Sequence, residues 1–181
     1  MKTIIASDIF GVTPQLKEFA NSISQVHVLV SPYEDQEHCF NNEAIAYQHF
    51  NHHVGVETYT EKLMTIISQQ QQPIKLIGFS AGASAVWLSL SEKHLPIKTA
   101  WCFYSSQIRH YLTCKPNYPT TIIFPQSEPH FCVDEAINVL KHYNELTLVK
   151  ELNLHGFMNP LSINYDPKLD NKYQGLLKAE I

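Results

Sequence analysis

The sequence predicts an α/β fold built on a mostly parallel six-stranded sheet with helices on both faces. Three observations lead there. Six short apolar runs alternate with stretches of helical periodicity. The first two runs flank a helix, and that β-α-β crossover requires parallel strands. Finally, Gly78-Phe79-Ser80-Ala81-Gly82 turns sharply from an apolar run into a helix of small residues.

The elements follow in order. Thr3-Ile4-Ile5-Ala6 is the first strand, ending at Asp8-Ile9-Phe10-Gly11, whose glycine suits a turn. Thr13 caps the next helix with Pro14 at its first position. Leu16, Phe19, Ala20 and Ile23 give that helix one apolar face. Residues 26–30 form the second strand. Residues 31–53 are polar, rich in histidine and asparagine, and read as an irregular loop. A helix over 57–68 turns Tyr59, Leu63, Ile66 and Ile67 inward. The glutamine tract 69–72 with Pro73 is a polar connection to the third strand, at 74–77. Strands are expected at 98–104, 121–124 and 146–152. A helix lies between the last two, with Val133, Ala136, Ile137 and Leu140 inward, and a closing helix follows Asp166-Pro167. One domain over residues 1–181 is expected.

Composition narrows the function classes. The 181 residues are 44% hydrophobic, enough for a substantial core, and the net charge is −4. Arg109 is the sole arginine and no basic stripe is visible, so a nucleic-acid partner is not expected. No run approaches the ~20 apolar residues of a membrane span, and no membrane association is expected. The opening apolar segment is short and meets Asp8 at once, unlike a secretory signal. Cys39, Cys102, Cys114 and Cys132 lack C-x-x-C spacing, which favours reduced thiols in a cytoplasm.

Ligands of an open parallel sheet bind at the carboxyl ends of its strands. Three reactive groups follow strands there. Ser80 follows the third, Glu128 lies a few residues beyond the fifth, and His155 lies just beyond the sixth. A serine hydroxyl needs a base to take its proton, histidine suits that role, and a carboxylate fixes the imidazole tautomer. Asp134 is the alternative acid, although a carboxylate in the first turn of a helix also simply complements the dipole. His130 lies near Glu128 without an assigned role. An oxyanion needs two donors. The Ala81 N–H supplies one, and the turn after the first strand supplies the other, from Ile9 or alternatively Phe10. The order Ser, acid, His is that of α/β-hydrolases.

With these residues in place, the chain resembles the dienelactone hydrolase family from Asp8 to about Asp170. The resemblance rests on Asp8-Ile9-Phe10-Gly11, the elbow at Ser80, Phe103-Tyr104-Ser105, His155-Gly156-Phe157 and Tyr165-Asp166-Pro167. It implies a compact α/β-hydrolase fold and hydrolysis of a small ester, lactone or thioester. It also implies an accessory role near the nucleophile for Asp8. Three features depart from the family pattern. Ser80 stands where members of known activity typically carry cysteine, Glu128 stands where aspartate is usual, and Arg109 alone replaces the arginines that meet the dienelactone carboxylate. A substrate other than dienelactone is therefore expected.

The remaining candidates carry less. His38, His49, His52 and His53 crowd the 31–53 segment with Glu34, Asp35 and Glu37, but no recognised metal-ligand spacing appears and no metal is expected. That segment, with Tyr33 and Phe40, is a candidate lid. Arg109 is a candidate contact for an anionic substrate group. Cys102, Trp87 and Trp101 read as packing residues. The elbow lacks the spacing of a phosphate loop, and no cofactor is expected. The expected function is cofactor-independent hydrolysis of a small molecule by a serine triad. The alternative is a binding or regulatory module that keeps the fold without turnover. Oligomeric state is left open.

Overall fold

A computed structural model of the chain describes residues 1–34, 40 and 42–180. Its six strands are β1 (Lys2–Ala6), β2 (His27–Val30), β3 (Ile74–Phe79), β4 (Ile97–Phe103), β5 (Thr120–Phe124) and β6 (Leu146–Lys150). They form one sheet in the order β2-β1-β3-β4-β5-β6, and every neighbouring pair is parallel. The sheet is thus wholly rather than mostly parallel.

The strand sequences dictate two apolar layers, because successive side chains point to opposite faces. Ile4, Leu76, Cys102, Ile122 and Phe124 pack into one core. It is covered by α3 (Gly55–Ser68), α4 (Ala81–Ser89) and α5 (Val133–Leu140), through residues such as Tyr59, Leu63, Trp87 and Leu140. Ile5, Ile77, Phe103 and Ile123 face the other way, against α1 (Pro14–Ile23) and α6 (Pro167–Ala179). Helices on both faces follow directly. Helix α1 begins as its sequence requires, with the Thr13 hydroxyl accepting from Leu16 N–H at 3.1 Å and Pro14 at its first position.

One expectation fails. The segment 31–53 is not irregular throughout, because Glu43–His53 forms helix α2. Its signals are local. Asn42 caps it, accepting from Ile45 N–H at 2.9 Å, and only Ala46 and Phe50 are buried. Two inward residues make too narrow a stripe to stand out against the polar remainder. Asp35, Glu37, His38 and Cys39 lie outside the described residues.

From β1 the chain steps outward to β2, then returns to the other side of β1 for β3. The carboxyl ends of β1 and β3 therefore flank a topological switch point, where open parallel sheets leave a crevice. Both the Asp8–Gly11 turn and Ser80 sit at that edge.

Candidate active site

Ser80 occupies the junction of β3 and α4 with φ +51°, a left-handed conformation rare for a residue with a side chain. Strain of this kind costs on the order of 1–3 kcal/mol and is held by its surroundings. Here Ser80 N–H donates to Phe103 O at 2.9 Å. The flanking glycines permit the turn. A Cβ on Gly82 would stand 2.3 Å from the carbonyl oxygens of Ala6 and Ser7, and one on Gly78 would stand 2.6 Å from Ala83 Cα. Helix α4 can lie this close to the sheet only without those carbons.

His155 comes from the loop after β6. Gly156 turns that loop at φ +85°, where a Cβ would strike Ser162 Oγ at 2.6 Å. Asn164 Nδ2 donates to His155 O at 2.9 Å, and the Tyr104 ring packs on the imidazole with centroids 4.9 Å apart. So fixed, His155 Nε2 lies 2.9 Å from Ser80 Oγ, and Nδ1 lies 2.7 Å from Glu128 Oε1. With its proton on Nδ1, the imidazole donates to Glu128 and accepts from Ser80. The Glu128 side chain is only 3% exposed, unlike an ordinary loop glutamate.

Asp134 is not brought to this cluster. Its side chain is 68% exposed and accepts from Lys150 Nζ at 2.6 Å. The first turn of α5 projects it into solvent beside β6. His130 lines the rim of the pocket over Ser80 and is exposed.

The turn after β1 is held by hydrogen bonds at successive peptides. The Asp8–Ile9 peptide has its carbonyl fixed by Gly11 N–H and by the Ser7 hydroxyl, both at 3.1 Å. The Ile9–Phe10 peptide is fixed from both sides. Its carbonyl accepts from Tyr33 Oη at 2.6 Å, and its N–H donates to Asp8 Oδ1 at 2.9 Å. The Phe10 amide is thus engaged within the turn. Among the described residues, neither the Ile9 nor the Ala81 N–H donates to a protein acceptor. Both residues line the same pocket as Ser80 and His155.

Asp8 does not meet the serine hydroxyl. Its second oxygen accepts from Asn159 Nδ2 at 2.6 Å. The residue keeps partial exposure, yet its carboxyl is desolvated enough to push its pKa up to about 6. The Phe10 and Asn159 hydrogen bonds and nearby His155 oppose that rise. Tyr33 is 4% exposed, and its hydroxyl braces the Asp8–Gly11 turn through Ile9 O.

The pocket over Ser80 encloses about 440 Å³. Helix α2 supplies one wall through Glu43, Tyr47 and Phe50, and Ser106 and Gln107 supply another. Arg109 does not line it, and its guanidinium donates to Ser106 O at 2.7 Å. Among the described residues, no lysine or arginine lines it. Cys102, Trp87 and Trp101 are buried in the cores. Among the described residues, no group of three or more His, Cys, Asp or Glu is arranged to hold a metal ion. None of their helices is long and apolar enough to cross a membrane.

The sequence reading missed Asn159, Asn164 and the α2 wall. The two asparagines carry no distinctive spacing. The wall was signalled only by Asn42 before Glu43, with Ala46 and Phe50 four residues apart.

No family model matches the chain. It is 30% identical over 182 residues to the uncharacterized protein YczH of Bacillus subtilis (strain 168), across 97% of this chain and 89% of that one. The chain belongs to the YczH family. Solved structures resembling this YczH-family chain extend the comparison in fold. A candidate dienelactone hydrolase from Klebsiella pneumoniae subsp. pneumoniae is 15% identical, with a TM-score of 0.78 over 97% of this chain and 84% of that one. The dienelactone hydrolase-like promiscuous phosphotriesterase P91 from metagenomic libraries gives 0.67 at 11% identity, over 98% and 85%. Est1E from Butyrivibrio proteoclasticus gives 0.67 at 11% identity, over 99% and 86%. The fold is that of the dienelactone hydrolase-like α/β-hydrolases.

Proposed function

We propose that this protein is a cofactor-independent serine hydrolase that cleaves a small ester, lactone or thioester through an acyl-enzyme. The observation carrying this reading is His155, within hydrogen-bond distance of Ser80 Oγ at 2.9 Å and of Glu128 Oε1 at 2.7 Å. A strained serine at a helix N-terminus, with a base in contact and an acid behind the base, matches an activated nucleophile.

In this reading Ser80 Oγ attacks the acyl carbon while its proton passes to His155 Nε2. Negative charge develops on the former carbonyl oxygen, and the Ile9 and Ala81 N–H groups receive it. Glu128 stabilises the imidazolium and keeps its orientation. As the tetrahedral species collapses, His155 returns the proton to the departing alkoxide or thiolate, leaving an acyl-Ser80 ester. Water then loses a proton to His155 and attacks that ester. The second tetrahedral species expels Ser80, which recovers its proton from His155, and the acid is released.

A pre-steady-state experiment with p-nitrophenyl acetate tests this sequence of steps. The reading expects a burst of about one p-nitrophenol per chain, followed by slower turnover, and no burst from Ser80→Ala. Absence of wild-type turnover across a panel of small esters, lactones and thioesters would overturn it.

A further inference from the structure

We propose that Asp8 and Asn159 form a catalytic tie, a pair of positioning residues that holds the oxyanion turn and the histidine loop in one register. The inference rests on the hydrolase reading above and adds to it two residues that touch neither substrate nor nucleophile.

The argument begins with the two loops. One carries the Ile9 N–H and the other carries His155, and they leave different strands, β1 and β6, on opposite sides of β3. Neither strand pairs with the other, so the sheet's hydrogen bonds do not set the spacing of these loops directly. One side-chain bond crosses between them. Asn159 Nδ2 donates to Asp8 Oδ2 at 2.6 Å, joining residues 151 positions apart.

Both ends of the bond are anchored to catalytic geometry. At one end, Asp8 Oδ1 accepts from Phe10 N–H and so fixes the peptide that follows Ile9. The Asp8–Ile9 peptide is itself fixed through its carbonyl, and a trans peptide directs its N–H the opposite way. At the other end, Asn159 N–H donates to Gly156 O at 2.9 Å, next to His155. Asn159 Oδ1 accepts from Leu161 N–H at 2.8 Å, which orients the amide and aims Nδ2 at Asp8. A carboxylate with two oxygens can serve both loops at once. No apolar residue of that size could.

The tie also explains where the Asp8 carboxyl goes. It lies on the wall of a separate cavity of about 270 Å³, which Asn159 and Tyr104 also line, rather than in the pocket over Ser80. Its two strong hydrogen bonds are spent on loop geometry.

A double-mutant cycle tests the proposal, using Asp8→Ala, Asn159→Ala and the pair on hydrolysis of p-nitrophenyl acetate. Displacing a catalytic group by about 1 Å costs up to about 100-fold. Each single change is therefore expected to lower kcat by about 10- to 100-fold with KM within about twofold, and the pair to lower it no further than the worse single. Thermal melts accompany each variant. Should Asp8→Ala fail to fold, Asn159→Ala alone must still lower kcat with KM preserved, because Asn159 lies in a partly exposed loop. Unchanged kcat, additive losses or a change confined to KM would overturn the tie while an active wild type leaves the hydrolase reading standing. A wild type that neither hydrolyses esters nor reacts at Ser80 would overturn both.

Discussion

His155 Nε2 lies 2.9 Å from Ser80 Oγ although 75 residues separate them in the chain. That approach depends on two unrelated turns, one at an elbow between glycines and one at Gly156. Removing the imidazole should therefore leave the fold while disabling the serine. For His155→Ala we expect ester hydrolysis to fall by at least about 1,000-fold, measured as kcat. The fold should survive, because His155 lies outside both core clusters, with a modest fall in melting temperature because Glu128 and the Tyr104 ring lose a partner.

The two acids separate cleanly. Glu128 is buried against His155, whereas Asp134 is exposed and paired with Lys150. Glu128→Gln should lower kcat by about 100- to 10,000-fold, since it loses the charge and disturbs the imidazole tautomer. Asp134→Asn should leave kcat within about twofold and change stability by less than about 1 kcal/mol, as expected of a surface pair. Steady-state kinetics and urea melts on both variants check this. Equal effects from the two substitutions would contradict the assignment.

Asp8 supplies a pH signature. Burial raises its folded pKa from 3.8 to about 6, so the fold favours the neutral carboxyl. The resulting stabilisation is complete below the unfolded value and is lost as pH rises through about 6. Charge nearby acts in both directions, with His155 lowering the value and Glu43 raising it. Asp8→Asn cannot ionise. Its melting temperature relative to wild type should therefore rise between pH 4 and pH 7. A pH-independent difference would contradict a raised Asp8 pKa.

Two glycines should respond oppositely to the same substitution. Gly82→Ala forces a Cβ to 2.3 Å from two backbone carbonyl oxygens, and neither can retreat without moving β1. We expect destabilisation of at least about 1–3 kcal/mol by denaturant melts. Gly175 lies exposed within α6 with nothing within 4 Å of an added Cβ. Gly175→Ala should stabilise by about 0.5–1 kcal/mol, because it restricts the unfolded chain in a helical position.

Much of this was legible in the sequence because the signals were local and repeated. The strands announce themselves as apolar runs such as Ile74-Lys75-Leu76-Ile77, and α1 through Thr13-Pro14 and four apolar residues on one face. Ser80, Glu128 and His155 stood out because each follows a strand, and strand ends meet at one edge of a parallel sheet. What stayed hidden depended on side-chain direction. Asp134 and Glu128 differ little as letters, but one projects into solvent and the other is enclosed. Asp8 turns toward Asn159, a partner 151 residues away that no spacing rule selects. Helix α2 was obscured by its narrow apolar stripe, so the wall it gives the pocket went unread.

The measurement that tests the central claim most directly is intact-mass analysis after treatment with a small fluorophosphonate, on wild type, Ser80→Ala and His155→Ala. The account predicts one adduct on the wild type, mapped to Ser80, and none on either variant. A folded wild type that remains unlabelled, or that labels equally without His155, would contradict an activated serine and favour a binding module on the same fold.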